Sequence, residues 1–91
     1  MPLIKFPAPL QAYVDSKRSL VIEGSTIGEV FSNLTLKYPG IKPHLFDPEG
    51  NYRSFISIFL GNVNYKDLKK AEMTRVEDDD ELTVIASMAG G

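Results

Sequence analysis

The stretch Ser19-Leu20-Val21-Ile22-Glu23-Gly24-Ser25-Thr26-Ile27-Gly28-Glu29-Val30-Phe31-Ser32-Asn33-Leu34 decides the fold, because it passes from strand to helix through a single glycine. Residues 19–23 read as a strand, and Gly24 breaks it. Thr26-Ile27-Gly28-Glu29 then has capping-box spacing, in which the Thr hydroxyl and the Glu carboxylate satisfy free backbone N–H groups at a helix start. Ile27, Val30, Phe31, Leu34 and Tyr38 follow at i, i+3, i+4, i+7 and i+11, which gathers them on one apolar face. At 1.5 Å per residue this helix is about 20 Å long. Pro39-Gly40 ends it.

Upstream, residues 3–6 read as a short strand closed by Pro7 and Pro9, since proline is tolerated at strand ends and not inside a ladder. Residues 8–18 form a long hairpin connection whose Leu10, Tyr13 and Val14 fold back on the core. Downstream, Asp47-Pro48-Glu49-Gly50-Asn51 is a turn by its chemistry. It introduces the strand Phe55-Ile56-Ser57-Ile58-Phe59-Leu60, with Ile56, Ile58 and Leu60 on one face and Phe55, Ser57 and Phe59 on the other. Gly61-Asn62 turns the chain, and residues 63–75 hold a short edge strand and a loop. In the last strand, Leu82-Thr83-Val84-Ile85-Ala86, Leu82 and Val84 alternate with Thr83 and Ile85 before the sequence ends in Met88-Ala89-Gly90-Gly91. Two strands, one helix and further strands predict an α+β unit with one sheet wrapped over one helix.

With 91 residues there is room for one modest core and little for a buried active site. A hydrophobic fraction of 43%, a charged fraction of 24% and a net charge of -2 describe an ordinary globular composition. The Lys and Arg residues form no basic block, which argues against nucleic acid as a partner. No apolar run is long enough for a membrane. No charged stretch precedes an apolar segment at the amino end, so the expected location is cytoplasmic. Cys is absent and His44 is the single His, which removes disulfides, thiolate nucleophiles and histidine metal clusters. His44 lies in a short helical turn with no nucleophile motif around it. Residues 77–81 read as a solvated acidic turn rather than a metal site, because adjacent carboxylates on a turn diverge. Lys66, Lys69, Lys70 and Arg75 read as solvating charges.

In the order β-β-α-β-β with a final diglycine, the chain resembles the ubiquitin-like β-grasp fold and, within it, the MoaD/ThiS family of sulfur carriers. The matching stretches are Phe6-Pro7 with Leu10, residues 24–30 at the helix start, Tyr38-Pro39-Gly40-Ile41 after it, residues 55–60, and residues 78–85. The Ala89-Gly90-Gly91 ending and the loop spacing look most like the carriers that serve cysteine synthases. Three departures stand out. Gly61 occupies the place where the family usually has Asn, Asp78-Asp79-Asp80 replaces Asp-Gly-Asp, and Ala86-Ser87 replaces the Pro-Pro of molybdopterin-type members. The resemblance implies a mixed sheet of four to five strands on one main helix over residues 1–85, and a flexible tail over residues 86–91.

It also implies a chemistry. A terminal carboxylate, with a pKa of about 3.5, is an anion at neutral pH and a poor electrophile, so it must be activated. An ATP-dependent adenylating enzyme of the ubiquitin-activating type would convert Gly91 to an acyl-adenylate, and a sulfur donor would displace AMP to leave a thiocarboxylate. The sequence has no G-x-x-x-x-G-K-[ST] loop, so the nucleotide is expected on the partner and no cofactor on this chain. The sulfur would pass to an acceptor enzyme such as a cysteine synthase or, as an alternative, the large subunit of molybdopterin synthase. A protein modifier joined through Gly91 to target lysines is the competing reading. Gly90, Ala89 and Met88 are the expected tail-recognition residues: the first two are slim, and Met88 is a flexible apolar anchor. Phe59 and Ile85 are the expected partner surface, since alternation places both on the outer face of neighbouring strands.

Overall fold

The computed structural model describes residues 1–87. The strands are β1 (Leu3–Lys5), β2 (Ser19–Val21), β3 (Ile56–Leu60), β4 (Val63–Asn64) and β5 (Glu81–Ala86), and the helices are α1 (Ala8–Gln11), α2 (Ile27–Lys37) and α3 (Lys42–Leu45). They form one five-stranded sheet in the order β2-β1-β5-β3-β4. β1 and β5 run parallel at its centre, and the other pairs are antiparallel. Among the described residues no helix is long and apolar enough to cross a membrane.

The helix start is built as its residue types dictate. The Glu29 N–H donates to Thr26 Oγ1 at 3.1 Å, and the Ser25 N–H donates to Glu29 Oε1 at 2.9 Å, which is the reciprocal capping pair. Ile27, Val30, Phe31 and Leu34 are fully buried against Ile4, Ile56, Ile58, Leu82 and Val84 of the sheet. Tyr38, the predicted last member of the helical face, lies just past the helix and is half-buried at its edge. Gly24 makes the entry possible: a Cβ there would sit 2.5 Å from Val30 Cγ2 and 2.7 Å from the Val30 backbone nitrogen. At the β3–β4 turn Gly61 has φ +59°, a left-handed conformation that suits glycine and that Asn also tolerates.

The connection between β1 and β2 contains a helical turn, α1, which was not expected; Pro7 and Pro9 initiate it, because proline fits the first turn of a helix as well as it ends a strand. Leu10 and Val14 join the core as expected. Tyr13 stays partly exposed and stacks on His44 of α3, with ring centroids 3.9 Å apart. The segment between β4 and β5 contributes Val76 to the core, a residue that no periodicity marks. Its Thr74 C=O accepts from the Ile27 N–H at 3.0 Å, tying it to the start of α2.

Candidate functional site

β5 carries the chain from the middle of the sheet toward its carboxyl end. Its antiparallel partner is β3, with Ile56 opposite Ala86, Ser57 opposite Ile85 and Phe59 opposite Thr83. Ala86, assigned to both the strand and the tail, is the last strand residue, and the Ser87 N–H still donates to the Phe55 C=O at 2.7 Å. The sheet therefore holds the chain through Ser87. Met88, Ala89, Gly90 and Gly91, the expected recognition and reaction residues, lie outside the described residues.

On the outer face, away from α2, the pleat sets Ser57 and Phe59 of β3 beside Ile85 and Thr83 of β5. Phe59 and Ile85 are thus diagonal neighbours, about 7 Å apart by standard sheet geometry. Ile85 is 42% exposed and Phe59 is half-buried. Phe55, whose carbonyl holds Ser87, is 36% exposed and extends the same face toward the point where the tail begins. The connection between β1 and β2 packs elsewhere: Val14 is in the core and Tyr13 stacks on His44 of α3. One border of the patch is polar, where Lys5 Nζ meets Glu81 Oε2 at 3.3 Å. Phe55, Phe59 and Ile85, interspersed with Ser57 and Thr83, thus leave partly exposed apolar side chains beside Ser87.

The acidic turn behaves as a turn. The Glu77 N–H donates to Asp80 Oδ2 at 2.7 Å, the Asp80 N–H returns to the Glu77 C=O at 3.1 Å, and the amino group of Met1 pairs with Asp78. Among the described residues no group of three or more His, Cys, Asp or Glu could hold a metal ion. Lys66, Lys69, Lys70 and Arg75 are exposed, and none faces the apolar strip through a strand pairing.

Sequence reasoning missed two features. An aromatic cluster links Tyr52 to Phe31, Phe46 and Tyr65, with centroids 6.0, 4.6 and 5.3 Å away. The Tyr52 hydroxyl is buried without a hydrogen-bond partner among the described residues. Burial, reinforced by the Glu72 carboxylate and by Tyr65, pushes its ionisation well above the ordinary tyrosine range. Beside it a groove of about 580 Å³ runs between α2 and α3, lined by Ser32, Thr35, Lys42, Pro43 and Arg53 among others. Those residues come from separate segments, so no motif announces the groove, and none of its lining belongs to β5.

Residues 4–91 match the ThiS family. The sulfur carrier protein CysO of Mycobacterium tuberculosis is 30% identical over 90 residues, covering 97% of this chain and 96% of that protein. Its crystal structure superposes with a TM-score of 0.85 at 24% identity, over 97% of this chain and 100% of that one. A chain of the Amycolatopsis orientalis BexX/CysO complex gives 0.86 at 23% identity and covers 100% of both. Small archaeal modifier protein 1 from Methanosarcina acetivorans gives 0.84 at 25% identity, over 99% and 95%. With its mixed sheet on one main helix and a last strand that leads to a diglycine, the chain is a β-grasp protein and belongs to the ThiS family.

Proposed function

We propose that this chain is a sulfur carrier whose Gly91 cycles between carboxylate and thiocarboxylate and delivers sulfur in cysteine biosynthesis. The observation that carries the reading is the end-to-end similarity to CysO, a sulfur carrier protein, at 30% identity with 97% of this chain covered. The β5 strand serves this role because it is paired on both sides and holds the chain as far as Ser87, which fixes the point from which the carrier end starts. Four residues follow Ser87, a length of at most about 13 Å when extended. A partner must therefore bring its reactive centre close to the sheet, which makes the Phe55, Phe59 and Ile85 strip the natural contact. The chain acts as substrate and carrier, and catalysis belongs to its partners.

The chemistry is a two-step exchange. A Gly91 carboxylate oxygen attacks the α-phosphorus of ATP on an adenylating partner and pyrophosphate leaves. A sulfur donor then adds to the acyl carbon and AMP departs, leaving C(O)S⁻ in place of CO₂⁻. Glycine at this position presents its carbonyl carbon without side-chain shielding. A sulfur-accepting enzyme of the cysteine synthase type completes the cycle.

The similarity to small archaeal modifier protein 1 favours a second reading, conjugation of Gly91 to lysines of other proteins. Intact mass distinguishes the two. After incubation with its adenylating enzyme, ATP and sulfide, the carrier reading expects exchange of one oxygen for sulfur at Gly91. Isopeptide-linked adducts in native extracts, with no thiocarboxylate, would favour the modifier. No change under either treatment would overturn both.

A further inference from the structure

β2 forms one edge of the sheet, and its ladder to β1 fixes which of its backbone groups are used. Leu20 lies opposite Ile4, the Phe6 N–H donates to the Arg18 C=O at 2.8 Å, and the Ile22 N–H donates to the Pro2 C=O at 3.1 Å. In an antiparallel ladder alternate residues bond to the same neighbour. Arg18, Leu20 and Ile22 therefore face β1, while the N–H and C=O groups of Ser19 and Val21 point out of the sheet. Such an edge is kept short here, three residues between Arg18 and Ile22, yet its outward groups have exposed apolar neighbours: Val21 is 51% exposed, Met1 53% and Leu36 78%. Together with Glu23, Asn33 and Lys37 these residues line a shallow groove of about 430 Å³ between β2 and α2.

We infer that this edge pairs with the same edge of a second copy, antiparallel about a two-fold axis at Leu20. The strand is self-complementary in that register. Ser19 of one copy meets Val21 of the other, and each such pair exchanges both N–H···O=C bonds. Lys17 and Glu23 flank β2 on opposite sides, so the same register brings the Lys17 flank of each copy to the Glu23 flank of the other, and both charge pairings are attractive. A register shifted by two residues in either direction loses that match. The side chains of Val21 and Leu36 then lie against the second copy, and the sheet continues across the axis. β1 separates β2 from β5, so the Phe59 and Ile85 strip and the base of the tail stay open in the dimer.

Sedimentation equilibrium from micromolar to millimolar concentration tests the inference. The mass should rise from 10.1 kDa toward twice that value. Amide exchange should show Ser19 and Val21 gaining protection with concentration, while Leu20, already bonded to β1, should not. Lys17→Glu and Glu23→Lys should each weaken association about tenfold, since each turns both attractive pairs repulsive, and the double reversal should restore it. Ser19→Pro removes an outward N–H without touching the β1 ladder, a change tolerated on an edge strand, and should yield a folded monomer. A monomeric mass at millimolar concentration would overturn the pairing. So would a dimer that survives Ser19→Pro unchanged, or a double reversal that restores nothing. Thiocarboxylation of the Ser19→Pro monomer should proceed, so failure here leaves the carrier reading intact.

Discussion

Ile85→Ala measures how much the outer strip contributes to partner docking. In the free chain Ile85 keeps 42% of its surface exposed, and the rest already packs on the sheet. Full burial of an isoleucine side chain is worth about 1.5–3 kcal/mol, so the part a partner can still cover is worth about 0.6–1.3 kcal/mol. At 1.36 kcal/mol per factor of ten, that is a loss of about three- to ninefold in kcat/KM. Only the side chain changes, and the backbone pairing of Ile85 with Ser57 remains. The fold should therefore lose no more than about 1 kcal/mol, or about 4–8 °C in Tm. The assay is ATP–pyrophosphate exchange by the adenylating enzyme, with this protein as the varied substrate. KM should rise and kcat should hold, because the contact is made in ground state and transition state alike. Val63→Ala is the control: Val63 is 43% exposed but pairs with Leu60, on the helix side of the sheet. An unchanged KM for a folded Ile85→Ala, or an equal rise for Val63→Ala, would refute the docking strip.

Gly24→Ala should destabilise by about 2 kcal/mol or more, because the added methyl meets the Val30 backbone and cannot rotate away; a Tm within 4 °C of the parent in calorimetry would contradict this. Tyr52→Phe should stabilise by about 1 kcal/mol at pH 7, since it deletes a buried hydroxyl that has no partner among the described residues; a loss of stability in urea titration would show that the hydroxyl is satisfied. The same variant should flatten the alkaline limb of the stability curve. The folded protein holds the Tyr52 proton above the ordinary value of 10.0 at which the unfolded chain releases it, so stability falls as pH rises past that value in the parent and falls less in Tyr52→Phe. Phe59→Asp should raise KM more than Ile85→Ala does, because docking would bury a carboxylate; adenylation at the parental KM by a folded variant would sink the strip from the other strand.

Local signals determined most of the architecture. The Thr26–Glu29 capping pair, the apolar face of Ile27, Val30, Phe31 and Leu34, and the alternation in residues 56–60 and 82–86 each rest on neighbours within about one turn or one pleat, so they survive without tertiary knowledge. The same alternation placed Phe59 and Ile85 on one face. Residues 63–75 were barely legible, because their short turns gain order from contact with α2: Thr74 bonds Ile27, and the next residue but one, Val76, is buried in the core. α1 was missed because the prolines that close β1 equally well open a helix.

The sequence by itself determined the helix, the strand faces and the diglycine end, since these depend on residue type and spacing along the chain. Only the tertiary structure decided what those parts meet. It put β1 and β5 side by side in parallel, clasped Ser87 to Phe55, and gathered Tyr52 with Phe31, Phe46 and Tyr65. Each of these joins residues far apart in sequence, and their pairing is fixed by burial and hydrogen-bond satisfaction across the whole core, which no local window contains.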